Sequence, residues 1–353
     1  MAKIKHSPTA LCSFTLNLKH ILNQQAQVYT SDFNVNLNEL YQKFDNFKGF
    51  VSVDGTQWPI SHTLFRNTKE KYISKVSFAF LNLISRISRV HLVGNTAVPC
   101  FSQVQNLQAW EKVHLNKENP CGIYILNTFS NKINNVPHYI TFPADPMMVL
   151  NLDSSWTNFD DYLNAFSSKY RIRAKKVLSE TDEMEVKELT GPDIDADTLQ
   201  EIAGLLKNTL AGKTLTMSSD LQVVIKNYIE SFGPDYRVRI YSLNGKTLGF
   251  IGFVSMEHCI MAMHLGFKTE EKNNLPIYQR MLYGLVYYGI ENGFKTVNFG
   301  RTAVEIKSTL GAVPIENYYV ALIRSPLICA FANMYKNLFY KPKEYTIRSP
   351  FKG

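Results

Sequence analysis

Hydrophobic positions along the second half of the chain recur with two periods, which alternate in blocks. Phe159, Leu163, Phe166, Tyr170, Ala174 and Val177 fall on one stripe at helical spacing. That spacing predicts one amphipathic helix from Thr157 to about Leu178. Thr157, with Asp160 three residues on, supplies a capping-box start. Beyond it the pattern predicts a strand over 183–189, helices over 195–210 and 218–232, and strands over 236–242, 247–256 and 259–266. Asn244-Gly245 joins the first two of those strands and marks a tight hairpin, because a type I′ turn needs positive φ at both central positions. A helix over 277–291 starts behind Pro276 and is closed by Gly293. A strand over 296–299, a short helix after Gly300, a strand over 317–323 and an amphipathic helix over 327–339 follow.

The first third reads as mixed α/β, with strands over 49–53 and 90–93 and a helix over 69–86. Between Pro137 and Pro146 the pattern changes, and Met147–Leu150 is an apolar run suited to a buried strand. A chain of 353 residues exceeds what one core normally supports. The expected division is therefore residues 1–145 and 146–353. The expected fold class is α/β of the α+β kind, with a mixed sheet whose meander switches to a crossover.

Composition changes this picture little. The formal charge of +8 favours an anionic partner, such as a CoA phosphate, tRNA or a lipid headgroup, and fits plain solubility equally well. The five cysteines (Cys12, Cys100, Cys121, Cys259, Cys329) are scattered without CxxC spacing. They suit reduced thiols better than a disulfide framework or a metal site. The start Met-Ala-Lys-Ile-Lys-His is basic without the apolar run of a signal peptide, and no stretch reaches membrane-spanning length. The expectation is a soluble cytoplasmic protein with no transmembrane segment, with peripheral contact at the inner membrane face left open.

The densest chemistry lies in Asn298–Val313, where a strand ends in Gly300, Arg301 follows at once, and a short helix carries Glu305 and Lys307 before Gly311. Strand ends of this kind are where α/β proteins hold ligands. Gly94-Asn-Thr-Ala-Val98 echoes Gly300-Arg-Thr-Ala-Val304 at four of five positions, with Asn95 and Phe101 where the second copy has Arg301 and Lys307. A twice-built fold with the site in its second half would explain the echo.

The strand order of residues 180–325 resembles the GNAT acyltransferase superfamily. The Trp156-led helix, the run Ser168–Lys176, and Phe299-Gly-Arg-Thr with Lys307 and Gly311 look like its Fem-like branch, which pairs two GNAT folds in one chain. The resemblance implies two GNAT-like domains in tandem. It also implies transfer of an acyl or aminoacyl group from acyl-CoA or aminoacyl-tRNA to an amine or hydroxyl acceptor, either a small molecule or lipid-linked. A binding protein that kept the scaffold and lost the chemistry, recognising an anionic lipid or RNA, is the alternative. Lys307 aligns, through Ile306-Lys307 and Leu310-Gly311, with a lysine at the reaction centre of the aminoacyl-transferring members.

Acyl transfer to an amine needs a base, donors for the oxyanion and an anchor for a phosphorylated carrier. Lys307 or Arg301 would meet the carrier phosphate or the oxyanion; alternatively Glu305 simply pairs with one of them. His264 is the candidate base, with a core histidine as the other reading. Alternation along its strand sets it with Ile260 and Ala262, opposite Cys259, Met261, Met263 and Leu265. The loop Lys268–Pro276 has no glycine to cradle a pyrophosphate, which leaves Ile277, Tyr278 and Arg280 at the helix start, with Gly300 and Thr302, for the cofactor. Lys169, Arg171, Arg173, Lys175 and Lys176 form a basic helix run that suits a solvated face or an anion such as tRNA. No cysteine or serine stands beside a base, so direct attack without an enzyme-bound intermediate is expected, and no metal.

Overall fold

The computed structural model describes residues 42–43, 47–53, 56–62, 90–93, 109–110, 112–113, 122–128, 138–210, 220–268, 275–340 and 343–352. The helix expected over 69–86, the echo at Gly94–Val98 and most of the loop before Pro276 lie outside them. Eleven strands are described: β1 (Phe47–Val53), β2 (Thr56–His62), β3 (Val90–Val93), β4 (Ile123–Thr128), β5 (Tyr139–Asn151), β6 (Glu185–Thr190), β7 (Tyr236–Leu243), β8 (Lys246–Ser255), β9 (Cys259–Phe267), β10 (Thr296–Asn298) and β11 (Val313–Ile323). The helices are α1 (Phe159–Ala165), α2 (Ser168–Ser179), α3 (Ala196–Leu210), α4 (Leu221–Phe232), α5 (Ile277–Glu291), α6 (Val304–Ser308) and α7 (Pro326–Phe339).

All eleven strands form one mixed sheet in the order β1-β2-β3-β4-β11-β5-β10-β9-β8-β7-β6. The fold is mixed α/β, as the pattern predicts. Outward from the central antiparallel pair β11–β5, each side meets one antiparallel neighbour (β4 or β10), then a parallel pair (β3–β4 or β9–β10), then an antiparallel meander. The two sides match, yet the strand beside β4 is β11 and the strand beside β10 is β5. The side carrying β1–β4 thus receives its inner strand, β11, from the C-terminal part of the sequence. Position 145/146 falls inside β5, where two residues of β5 (Asp145 and Pro146) stand opposite one of β11 (Glu316). Pro146 tolerates that irregularity because it has no N–H to pair.

The turn at Asn244-Gly245 has φ of 50° and 72°, the left-handed pair its sequence demands. The single helix expected over 157–178 is instead two. Its cap is Asn158, whose side chain accepts from Asp161 N at 3.0 Å while Asp161 accepts from Thr157 and Asn158, one residue later than expected. The helix breaks because Phe166 turns extended (φ −68°, ψ 144°) and bridges Phe351. Lys352 N donates to Ala165 O and Ser167 N to Pro350 O on either side of that bridge. A tertiary strap, residues 343–352, outcompetes two helical hydrogen bonds because it also seats the Phe351 ring against Phe166 and Trp156 at 5.2 and 5.4 Å between centroids.

Helices α3 and α4 cover one sheet face with Val149, Tyr236, Val254, Met261 and Ile315. On the other face α1, α2, α5 and α6 pack around Tyr162, Val177, Ile251, Met281 and Leu310. Along β11, Val313 and Ile315 belong to the first cluster, and Ala321 and Ile323 to the patch under α7. Equal parity puts α7 on the same face as α3 and α4. Asn317 and Tyr319 share that parity and lie between them.

Candidate active site

The parallel strands β9 and β10 pair over only three positions, Thr296↔Cys259, Val297↔Ile260 and Asn298↔Met261. Past Met261, β9 runs on to Phe267 against β8 alone. The chain after Asn298 turns away through Phe299 and Gly300, whose N–H donates to Asn298 Oδ1 at 2.9 Å. The result is an opening between two strands in mid-sheet, with the edge of β9 that β10 leaves on one wall, where Phe267 N donates to Thr209 Oγ1 at 3.0 Å, and the turn 299–303 on the other. Gly300 sits close to β9: a side-chain carbon on it would lie 3.8 Å from Ala262 O.

His264 stands on the wall formed by β9, but not on the face that alternation predicts. Between β8 and β9 the register jumps from Gly252↔His264 to Phe253↔Ala262, so Met263 is a bulge residue. A bulge resets the parity of everything after it. Leu265 therefore packs with Ile260 and Ala262 on the α5 side, while Met263 packs on the α3–α4 side. His264 joins Met263 there: its ring is 4.8 Å from that of Tyr228, and its Nδ1 is 3.3 Å from Tyr236 Oη. Gly252 is what lets Tyr236 approach, since a side-chain carbon there would lie 2.6 Å from the phenol oxygen. Loss of water around the half-buried ring lowers the His264 pKa to about 4, and burial raises that of Tyr236. At neutral pH the pair is an uncharged imidazole beside a protonated phenol.

Lys307 has a different setting from the one its motif suggests. Its side chain is 3 % exposed, and Nζ donates to Phe299 O (2.7 Å), Arg301 O (2.8 Å) and Gly300 O (3.3 Å). The turn it gathers is strained: Gly300, Thr302 and Ala303 have φ of 70°, 70° and 48°. Glycine adopts that region freely, but a β-branched threonine does so only when its surroundings impose it. The ammonium, held by three carbonyls, imposes it. Lys307 thereby sets where Arg301 emerges.

Arg301 turns to β11, where its guanidinium hydrogen-bonds Tyr319 Oη and lies 5.6 Å over that ring. Arg301, Tyr319, Asn317 and His264 thus lie on one face of the sheet. Glu305 is exposed and accepts from Thr346 N of the strap at 3.3 Å. Thr302 is exposed on the turn. Ile277 is buried at the start of α5, Tyr278 packs near Phe267 with its pKa raised to about 12 by burial, and Arg280 lies 5.7 Å over Tyr241. The basic run sits on α2, on the opposite face: Lys169, Arg173, Lys175 and Lys176 are exposed, Arg171 half-buried, and Lys176 pairs with Glu180 at 3.6 Å. It does not join the other candidates.

Sequence reasoning missed Tyr236, Tyr228 and Tyr319. Gly252 was a usable sign for the first, since a glycine inside an apolar strand marks a close approach. Nothing in the local sequence marks Tyr319, which meets Arg301 only because β11 crosses to the centre of the sheet.

No protein-family model matches the chain, and no curated protein does. Among solved structures it is similar to FemX, at 12 % identity, covering 90 % of this chain and 98 % of that one, with a TM-score of 0.49. It is also similar to L-PGS from Bacillus licheniformis, at 13 % identity with 88 % and 96 % covered and a TM-score of 0.47. A third is a GCN5-related N-acetyltransferase from Kribbella flavida, at 10 % identity with 85 % and 95 % covered and a TM-score of 0.39.

Proposed function

We propose that the chain is an acyltransferase that moves an acyl or aminoacyl group from a phosphorylated carrier, acyl-CoA or aminoacyl-tRNA, to an amine or hydroxyl acceptor by direct attack. One observation carries the reading: the β9–β10 pair parts after three residues, and the bulge beside the opening sets His264 against Tyr236. A carbonyl lying in the opening would meet the backbone edge of β9 that has no β10 partner, a natural source of oxyanion donors. Arg301 lies on the opposite wall, where positive charge favours the carrier phosphates or the oxyanion. The division into residues 1–145 and 146–353 as tandem halves belongs to the same proposal and is supported by the matched order of the sheet about β11–β5.

In the base role, His264 Nδ1–H donates to Tyr236 Oη, leaving Nε2 to accept a proton. An imidazole with a pKa near 4 is a weak base. It takes the proton after attack has begun, when the nucleophilic nitrogen has become positive. The C–N bond forms, the carrier leaves with the electron pair of the broken acyl bond, and the proton passes through His264 to solvent or carrier. Lys307 acts in this scheme as a positioning residue for the turn that presents Arg301.

The test is thiol release from acetyl-CoA with a panel of primary amines, together with label transfer from bulk aminoacyl-tRNA to the same panel. His264→Gln is expected to lower the rate on the order of 100-fold, and Arg301→Gln to raise KM for the carrier. Wild-type rates in both variants would overturn the assignment. Saturable CoA binding by calorimetry would point to a thioester donor, and tRNA binding with steep salt dependence to an aminoacyl donor.

A further inference from the structure

Helix α7 has two apolar faces, and the described residues of the fold pack against one. Ile328, Cys329 and Ala332 pack against Ile140, Ala321 and Ile323 of the sheet. Leu327, Phe331, Met334 and Leu338, at spacings of four, three and four, form a second stripe spanning about 60° of the helix. These four are 74, 56, 52 and 64 % exposed. Nine large apolar side chains are exposed among the described residues, and four of them stand on this stripe. Scattered exposed leucines are ordinary; a contiguous row marks a surface that something else covers.

Charge identifies what covers it. Residues 324–343 contain Arg324, Lys336, Lys341 and Lys343 and no aspartate or glutamate. A second copy would bring four cations against four. Residues 1–41 carry Lys3, Lys5 and Lys19 against Asp32 and Glu39, so that segment has no acidic excess to offer either. An anionic lipid surface satisfies both demands, taking the apolar row into its headgroup region and pairing anionic heads with the cations. At 14 residues α7 is about 21 Å long, which suits a helix lying in the interface plane. Among the described residues no helix is long and apolar enough to cross a membrane.

We propose that α7 is an in-plane docking helix through which the chain binds the surface of an anionic bilayer. The proposal stands whether or not the chain transfers acyl groups. Because α7 lies on the same sheet face as His264 and Arg301, docking turns that face toward the lipid.

The experiment is co-sedimentation of the full chain with vesicles of phosphatidylcholine, with and without a minority of phosphatidylglycerol. Wild-type protein is expected to sediment with the anionic vesicles only, less so at high salt. Phe331→Ser with Leu338→Ser removes apolar area without touching the packed face, and should lower the partition coefficient on the order of ten-fold. Lys341→Gln with Lys343→Gln should weaken binding and flatten its salt dependence. Equal partitioning of the wild type and the stripe variant overturns the proposal. So does a dimer in sedimentation velocity that the stripe variant converts to monomer while vesicle binding is nil, which would assign the row to a second copy.

Discussion

Replacing Lys307 by methionine keeps most of the aliphatic stem and removes the ammonium that gathers the carbonyls of Phe299, Gly300 and Arg301. Gly300 O also accepts from Met148 N at 3.1 Å, so the loss falls on the other two carbonyls. A hydrogen bond to a charged group contributes about 1.5–3 kcal/mol net, and leaving a buried acceptor unmet costs about 1–3 kcal/mol. Against this, the variant no longer buries a charge, which offsets part of the loss. The expected destabilisation is about 2–4 kcal/mol, read as a fall of about 3–5 °C in Tm for a chain of this size. Near-ultraviolet circular dichroism during the melt reports it. An unchanged Tm would refute the bracing role and leave the ammonium for chemistry at the opening.

Three further outcomes follow from the same geometry. Thr302→Gly relieves a φ of 70° at an exposed side chain, so it should stabilise or be neutral in chemical denaturation; a loss above about 1 kcal/mol would show that the hydroxyl makes a needed contact. Phe351→Ala should cost about 2–3 kcal/mol, since its ring is partly buried against Phe166 and Trp156. Gly311→Ala should cost as much, because its new carbon would lie 2.2 Å from that ring at a φ of 92°. In the double variant the two losses should fall short of their sum, and strict additivity would sink the packing account. His264 has a folded pKa near 4 against about 6.5 unfolded, so the unfolded chain binds more protons between those values. Stability should therefore decline as pH falls from about 6.5 to 4, by at most about 3 kcal/mol and less for a half-buried ring, and His264→Gln should flatten that slope; parallel curves would rule the histidine out as its source.

Much of the fold was legible in local patterns. The hairpin at Asn244-Gly245 and the helix Ile277–Glu291 sit where turn chemistry and the Pro276–Gly293 frame put them. The expected helix over 157–178 misled because its apolar stripe is continuous through Phe166 and Ser167, and the break comes from a strap almost two hundred residues away in sequence. The candidate site was legible in part. Arg301 and His264 carry a signal in the sequence, while their aromatic partners carry none of their own, since Tyr319 and Tyr236 reach them across strands.

By itself the sequence determined most of the helices and strands after β5 and where the cations cluster along the chain, because period, capping and turn preferences act over a few residues. Tertiary structure alone decided three things. It set β11 between β4 and β5, since only the assembled sheet offers that edge. It moved His264 to the α4 side, since a bulge is a mismatch between two strands and is invisible in either one. It turned Lys307 inward, since a buried ammonium needs acceptors and the strained turn after β10 supplies three within reach.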